Sequence, residues 1–188
     1  PMLFGEPEPW LALLIESLLR SGMNEPDASA TLREQAFEQA PTSRGTVDGQ
    51  AFEWIADADS RMGPVLEAII NGRYYWVPFN RLLRLATEPP EDLRDFVWLP
   101  GVLQFTNGGE VPALFPARYP GSSTSPEGLI QLGRKTDWLD QGNDTFHGLG
   151  QRLLATDSGE YPLMQCREIL INDPGGEAAH HDDPPAGD

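Results

Sequence analysis

The segment EWIADADSRMGP, residues 53–64, holds the side chains best placed to do chemistry. Asp57 and Asp59 lie one residue apart, and Arg61 follows two positions on. Aspartates at that spacing can hold a metal or share a proton. On a strand they point to the same face, roughly 7 Å apart along the chain. Their mutual repulsion must then be relieved by a cation or by protonation. Arg61 supplies that relief if the strand continues, and other arginines, such as Arg73, come from neighbouring segments. Metal catalysis needs a third or fourth ligand within reach. Glu53 is close in sequence and no histidine is. The favoured reading is a structural ion pair of Asp57, Asp59 and Arg61. A partner-binding role and a metal-dependent hydrolase using Glu53, Asp57 and Asp59 stand as the alternatives.

The other reactive side chains are weaker candidates. Cys166 is the single cysteine, which leaves no intrachain disulfide and no cysteine-based zinc site. It lies in YPLMQCREILIN, which alternates like a strand, so it reads as a small buried hydrophobe. His180, His181, Asp182 and Asp183 resemble a metal cluster. They sit in a tail of Gly, Pro and acids, where ordering ligands costs chain entropy. His147, in FHGLGQR, has no nucleophile beside it. There is no G-x-S-x-G and no H-E-x-x-H, and no cofactor is expected.

The balance of charge narrows the partners. A formal charge of -16 over 188 residues argues against nucleic acid, whose phosphates call for a basic patch, and against anionic membrane surfaces. A basic or amphipathic protein segment suits such a chain. No apolar run reaches membrane-spanning length and no signal peptide is evident, so the cytoplasm is the expected compartment. The chain begins at Pro1 rather than Met, which suggests a processed or truncated product.

The elements that must position these residues follow from periodicity. Pro9 suits the first turn of a helix, and Trp10, Leu13, Leu14, Ser17 and Leu18 form one stripe. Gly22 and Pro26 break that helix. A second, N-capped by Asp27, runs through Ala40 to Pro41, giving an αα-hairpin. Beyond Pro41 the period becomes two. In AFEWIADAD, Phe52, Trp54, Ala56 and Ala58 face one way and Glu53, Ile55, Asp57 and Asp59 the other, as in a half-buried strand. In PVLEAIINGRYYWVPF, Asn71-Gly72 predicts a type I′ hairpin that sets Ile69 opposite Tyr74 and Glu67 opposite Trp76. A second strand pair flanks TNGG, with Pro112 and Pro116 favouring an edge or bulges. A third hairpin turns at DSG, and STSPEGLIQLGRKTDWL reads as a short helix or irregular crossover. The expected fold is α+β: a helical part (1–42), a mostly antiparallel β-barrel-like domain (43–172) and a disordered acidic tail (173–188).

Three long blocks in order carry a family resemblance: GTVDGQAFEWIADADSRMGPVLEAIINGRYYWVPFNRL, DLRDFVWLPGVLQFTNGGEVPALFPARYPGS and GLGQRLLATDSGEYPLMQCREI. Over roughly residues 5–172 the chain resembles the ImpE family, also called TagJ, accessory proteins of the bacterial type VI secretion system. LREQAFEQAP is similar to the second helix of a tetratricopeptide-like repeat. The family normally carries more helices ahead of Trp10. The resemblance implies a non-enzymatic, cytosolic partner of the contractile sheath. It implies binding to a helix at the N-terminus of the small sheath subunit TssB, in the neighbourhood of the ATPase ClpV. On that expectation the wide stripe of Trp10, Leu14 and Leu18 is the candidate partner-binding face.

Overall fold

The computed structural model describes residues 2–3 and 6–171. The tail of residues 173–188, with the His180–Asp183 cluster, lies outside them.

Two helices open the fold, α1 (Pro9–Gly22) and α2 (Pro26–Gln39), each with proline in its first turn. Glu25 rather than Asp27 occupies the N-cap of α2, because Pro26 already fixes the first helical φ. The helices meet through small residues. Ser17 and Ser29 are buried, and each hydroxyl donates to the other's carbonyl, at 2.8 and 2.9 Å.

The strands are β1 (Met2–Leu3), β2 (Gly45–Val47), β3 (Gln50–Phe52), β4 (Ile55–Asp57), β5 (Val65–Ile70), β6 (Arg73–Pro78) and β7 (Leu82–Thr87). They continue with β8 (Trp98–Phe105), β9 (Glu110–Pro116), β10 (Thr136–Asp140), β11 (Phe146–Gly150), β12 (Leu153–Thr156), β13 (Gly159–Pro162) and β14 (Glu168–Ile171). Among the described residues, the main sheet has nine strands in the order β1-β6-β5-β9-β8-β7-β14-β2-β3. A two-stranded sheet, β10-β11, and a three-stranded one, β13-β12-β4, complete the set.

The fold is α+β, but the expected barrel is absent. The main sheet is open, with β1 and β3 as its edges. Closing a barrel requires every strand to pair on both sides with consistent stagger. Here the edges are only two and three residues long. The joint between β5 and β9 holds a single registered pair, Ile69 with Leu114. Pro112 and Pro116, which lack N–H groups, flank that joint, so proline weakens an interior seam instead of marking an edge. Helices are not confined to the N-terminal part either. A short α3 (Gly128–Gln131) falls within the stretch read as a helix or crossover.

The β5–β6 hairpin forms in the predicted register, Ile69 opposite Tyr74 and Glu67 opposite Trp76. Asn71 and Gly72 both have positive φ, 51° and 74°, as a type I′ turn demands. Alternation then gives the hairpin two working faces. Val65, Tyr74 and Trp76 meet the helices together with Trp10, Leu11, Leu14, Ala36 and Met62. Leu66, Ala68, Ile70, Tyr75 and Val77 join the larger core with Leu85, Leu99, Leu103, Phe115 and Leu154.

The run AFEWIADAD is not one strand. It breaks at residues 53–54 into β3 and β4, and Trp54 turns out to solvent, 42% exposed, while Ile55, Asp57 and Asp59 turn inward. The cause is local. β3 extends the main sheet from β2, whereas β4 leaves it to pair with β12.

Candidate functional site

Asp57 is the last residue of β4, and Asp59 sits in the turn that follows. The turn closes on itself: the Asp57 N–H donates to the Gly63 carbonyl at 2.7 Å, and the Met62 N–H to the Asp59 carbonyl at 2.9 Å. Both carboxylates are buried, at 4% and 1% exposed. They do not share a cation. Asp59 takes Arg61, which donates from its backbone N–H at 2.9 Å, Nε at 2.8 Å and Nη2 at 2.5 Å. The Gly148 N–H adds a further bond at 2.8 Å.

Asp57 is held by Arg152, whose guanidinium donates to it through Nη1 and to Glu67 through Nη2. Arg152 Nε donates to the Pro116 carbonyl at 2.9 Å, and the guanidinium lies 4.9 Å from the centre of the Tyr119 ring. The Tyr119 hydroxyl reaches Asp57 Oδ1 at 2.9 Å and accepts the Leu153 N–H at 3.1 Å. Tyr74 donates to Glu67 and accepts from Trp76 Nε1 at 2.7 Å. Asp57, Asp59, Arg61, Glu67 and Arg152 thus form one largely buried network tying β4, β5, β6 and β12 to the segments around residues 116–119 and 148.

Environment separates the two aspartates. Burial pushes the Asp57 pKa above its ordinary value, against the pull of Arg152 and the Asp59 N–H. Burial also raises Asp59, but the bonds from Arg61 and Gly148 outweigh it and the net shift is downward. Burial opposes the charge on Arg152, and Asp57 and Glu67 overcome it, so its pKa is raised. Burial and the nearby carboxylates raise Tyr74 and Tyr119, which stay protonated donors. Such a cluster holds its charges in place through mutual pairing.

Glu53, the third carboxylate of the hydrolase alternative, does not join this cluster. It is exposed, and its nearest cation is Arg44, at 3.8 Å. Among the described residues, no group of three or more His, Cys, Asp or Glu is arranged to hold a metal. Burial, then Arg61, hold half-buried His147 below its usual pKa. Cys166 is buried, its thiol pushed up to about 12 by desolvation. Trp10 and Leu14, candidates for partner binding, lie under α2 and the β5–β6 hairpin at 3% and 1% exposure, and Leu18 is half-buried beside them. The helical stripe is therefore covered by the β-part of the same chain.

Sequence reading did not single out Arg152, Glu67 or Tyr119 as members of the network. A signal existed: Glu67 in VLEAII and Arg152 in QRLLAT are lone charges of opposite sign in apolar runs, and lone buried charges need partners.

Above the cluster lies a groove of about 380 Å³, walled by Phe37, Ala40 and Pro41 at the end of α2 and by Trp54, Ile55 and Ala56 of the β4 arm. Asp57, Asp59, Gly63 and Pro64 also line it. A second hollow, about 450 Å³, opens on the main sheet between Ile69, Pro100, Val102, Pro112 and Leu114.

Comparison with known proteins places this architecture. The chain is 46% identical over 169 residues to the type VI secretion system accessory component TagJ of Pseudomonas aeruginosa, a match covering 90% of this chain and 59% of that protein. The crystal structure of protein VPA1032 from Vibrio parahaemolyticus superposes with a TM-score of 0.81 at 22% identity, over 90% of this chain and 63% of that one. The chain thus spans about three fifths of the length of the relatives it matches, and the second likeness speaks for the fold alone. The ImpE protein model matches residues 49–170, the stretch that contains the entire buried ion network, and the chain belongs to the ImpE family.

Proposed function

We propose that this chain works as a non-enzymatic adaptor in a type VI secretion machine, in the cytoplasm, by binding the N-terminal helix of the small sheath subunit TssB in the neighbourhood of the ATPase ClpV. The 46% identity to TagJ across 90% of the chain carries the reading. The chemistry of the buried cluster agrees with it. Asp57, Asp59 and Glu67 spend their lone pairs on Arg152, Arg61, tyrosine hydroxyls and backbone N–H groups, an arrangement suited to holding a surface rigid. The charge of -16 suits a partner segment with basic flanks, whose approach it would accelerate. No helix among the described residues is long and apolar enough to cross a membrane.

The test is retention of purified sheath subunits on immobilised chain. TssB should be retained, and TssB lacking its N-terminal helix should not. Retention indifferent to that helix, or none at all, would overturn the reading.

A further inference from the structure

We propose that the groove between the end of α2 and β4 is a docking site for an amphipathic helix that inserts large apolar side chains and carries Lys or Arg beside them. The inference rests on the adaptor reading and assigns it a surface.

Four observations converge. First, two aromatics stand at the groove with much of their area in water, Phe37 at 37% and Trp54 at 42% exposure. Aromatic anchors in a concave apolar setting are typical centres of binding energy. Second, the floor is fixed in advance. Asp57 and Asp59 line it and are locked into the ion network, and Gly63 packs so closely on the Phe37 ring that an added Cβ would come within 2.3 Å of it. A preorganised surface pays less ordering entropy on binding. Third, Ser43 lines the groove, and its hydroxyl, turned inward and buried, has no hydrogen-bond partner among the described residues. Rotation about χ1 would present that hydroxyl to a polar group of an occupant, and nothing bonded to it in the free protein opposes the turn. Fourth, the charges beside the two aromatics, just outside the groove's own lining, are acidic. Exposed Glu38 follows Phe37, exposed Glu53 precedes Trp54, and Asp157 accepts the Glu53 N–H at 2.8 Å. Arg44 offsets them only weakly, 3.8 Å from Glu53. Such a rim favours basic flanks.

The geometry favours a helix over an added strand. β4 is the outer strand of its sheet but only three residues long, and Asp57 at its end is already bridged to Gly63. That leaves almost no ladder for an extended peptide. The hollow on the main sheet is larger, but Glu88 is its sole charged lining residue, so it serves as the control.

The experiment titrates a synthetic peptide of the TssB N-terminal helix, by calorimetry, against wild type, Trp54→Ala, Glu38→Arg and Leu114→Ala, each first checked for an unchanged urea midpoint. Trp54→Ala should weaken binding about 30-fold, the loss expected of an aromatic anchor. Glu38→Arg should weaken it several-fold and flatten its salt dependence, and Leu114→Ala should leave it unchanged. If wild type binds while Trp54→Ala and Glu38→Arg bind equally well, the groove is not the site, although the adaptor reading survives. If wild type ignores the peptide yet retains whole TssB, the helical occupant is overturned. If it retains neither, the adaptor reading falls as well.

Discussion

Arg152→Met removes the cation that Asp57 and Glu67 share. Methionine refills most of the buried stem volume, so the change isolates the charge. Breaking a buried pair by deleting one partner costs about 3–5 kcal/mol, because the other charge is left uncompensated. The Pro116 carbonyl also loses its donor, worth about 1–3 kcal/mol if nothing replaces it. Protonation of Asp57 gives part of this back, so a net loss of about 4 kcal/mol at neutral pH is expected. With a urea m-value of about 2 kcal/mol/M, the midpoint should fall by about 2 M at unchanged slope.

The pH dependence gives a second check. Burial already holds the Asp57 pKa above its ordinary value. A group with a raised folded pKa binds more protons in the native state. Its contribution is therefore fully present below the unfolded value and is lost as pH rises through the folded one. Removing Arg152 raises that folded value further, so the deficit of the variant should widen between about pH 4 and pH 7. Adding Asp57→Asn and Glu67→Gln should recover most of the loss, since the stranded charges are then gone. A loss below about 1 kcal/mol at pH 7, or a deficit flat in pH, would refute the assignment of Arg152 as the central cation.

Arg61→Gln should destabilise by about 1.5–3 kcal/mol at pH 7, the worth of hydrogen bonds to a charged group. The Asp59 pKa is depressed, so its stabilisation is present above the unfolded value and lost as pH falls through the folded one; the Arg61→Gln deficit should shrink below about pH 4 in acid titrations followed by tryptophan fluorescence. Cys166, with its thiol pushed up to about 12, should resist thiol reagents in the native state and become labelled at the rate of unfolding; rapid labelling of folded protein would contradict its burial. Gly45→Ala should cost about 3 kcal/mol, at the upper end for overpacking, because the new Cβ would stand 1.8 Å from the Leu170 carbonyl oxygen where β2 pairs with β14; an unchanged thermal midpoint would disprove that close approach.

Local sequence carried the elements whose causes are local. The β5–β6 register follows from a turn, Asn71-Gly72, that only positive φ allows. The helical hairpin follows from Pro9, Pro26 and Pro41 as punctuation. Alternation also sorted Tyr74 and Trp76 from Tyr75. What was not legible depends on topology. Periodicity cannot tell an open sheet from a closed one, because both alternate inward and outward; the difference lies in whether the edges meet. Nor could it show β4 leaving the main sheet for β12, since that partner lies about a hundred residues downstream. The break at residues 53–54 parted Trp54 from Phe52, with which alternation grouped it: Phe52 is buried and Trp54 stands in the groove wall, 42% exposed.

The same distance effect hid the partner of Asp57. Arg61 was visible because it is two residues from Asp59, and the two do bond. Arg152 is 95 residues from Asp57, and its tie to Glu67 spans 85. Short-range spacing has no access to such pairs. Yet the energetic logic is one-sided. A buried ion network adds little net stability over a well-packed apolar core, but it is costly to misassemble. Its members come from β4 and the turn after it, from β5, and from the residue just ahead of β12; β4 and β12 pair in the small sheet and β5 in the main one. A one-residue slip in either β4 or β5 would turn its charged side chain to the other face and leave the partner buried and unpaired, a cost added to that of misplacing the apolar residues. The network therefore fixes register where the β4 arm departs from the main sheet. That is also where Asp57 and Asp59 form the floor of the groove below Phe37 and Trp54. Rigidity at that point would be wasted on a surface that merely faces water. It is useful to one that must keep its shape for a partner.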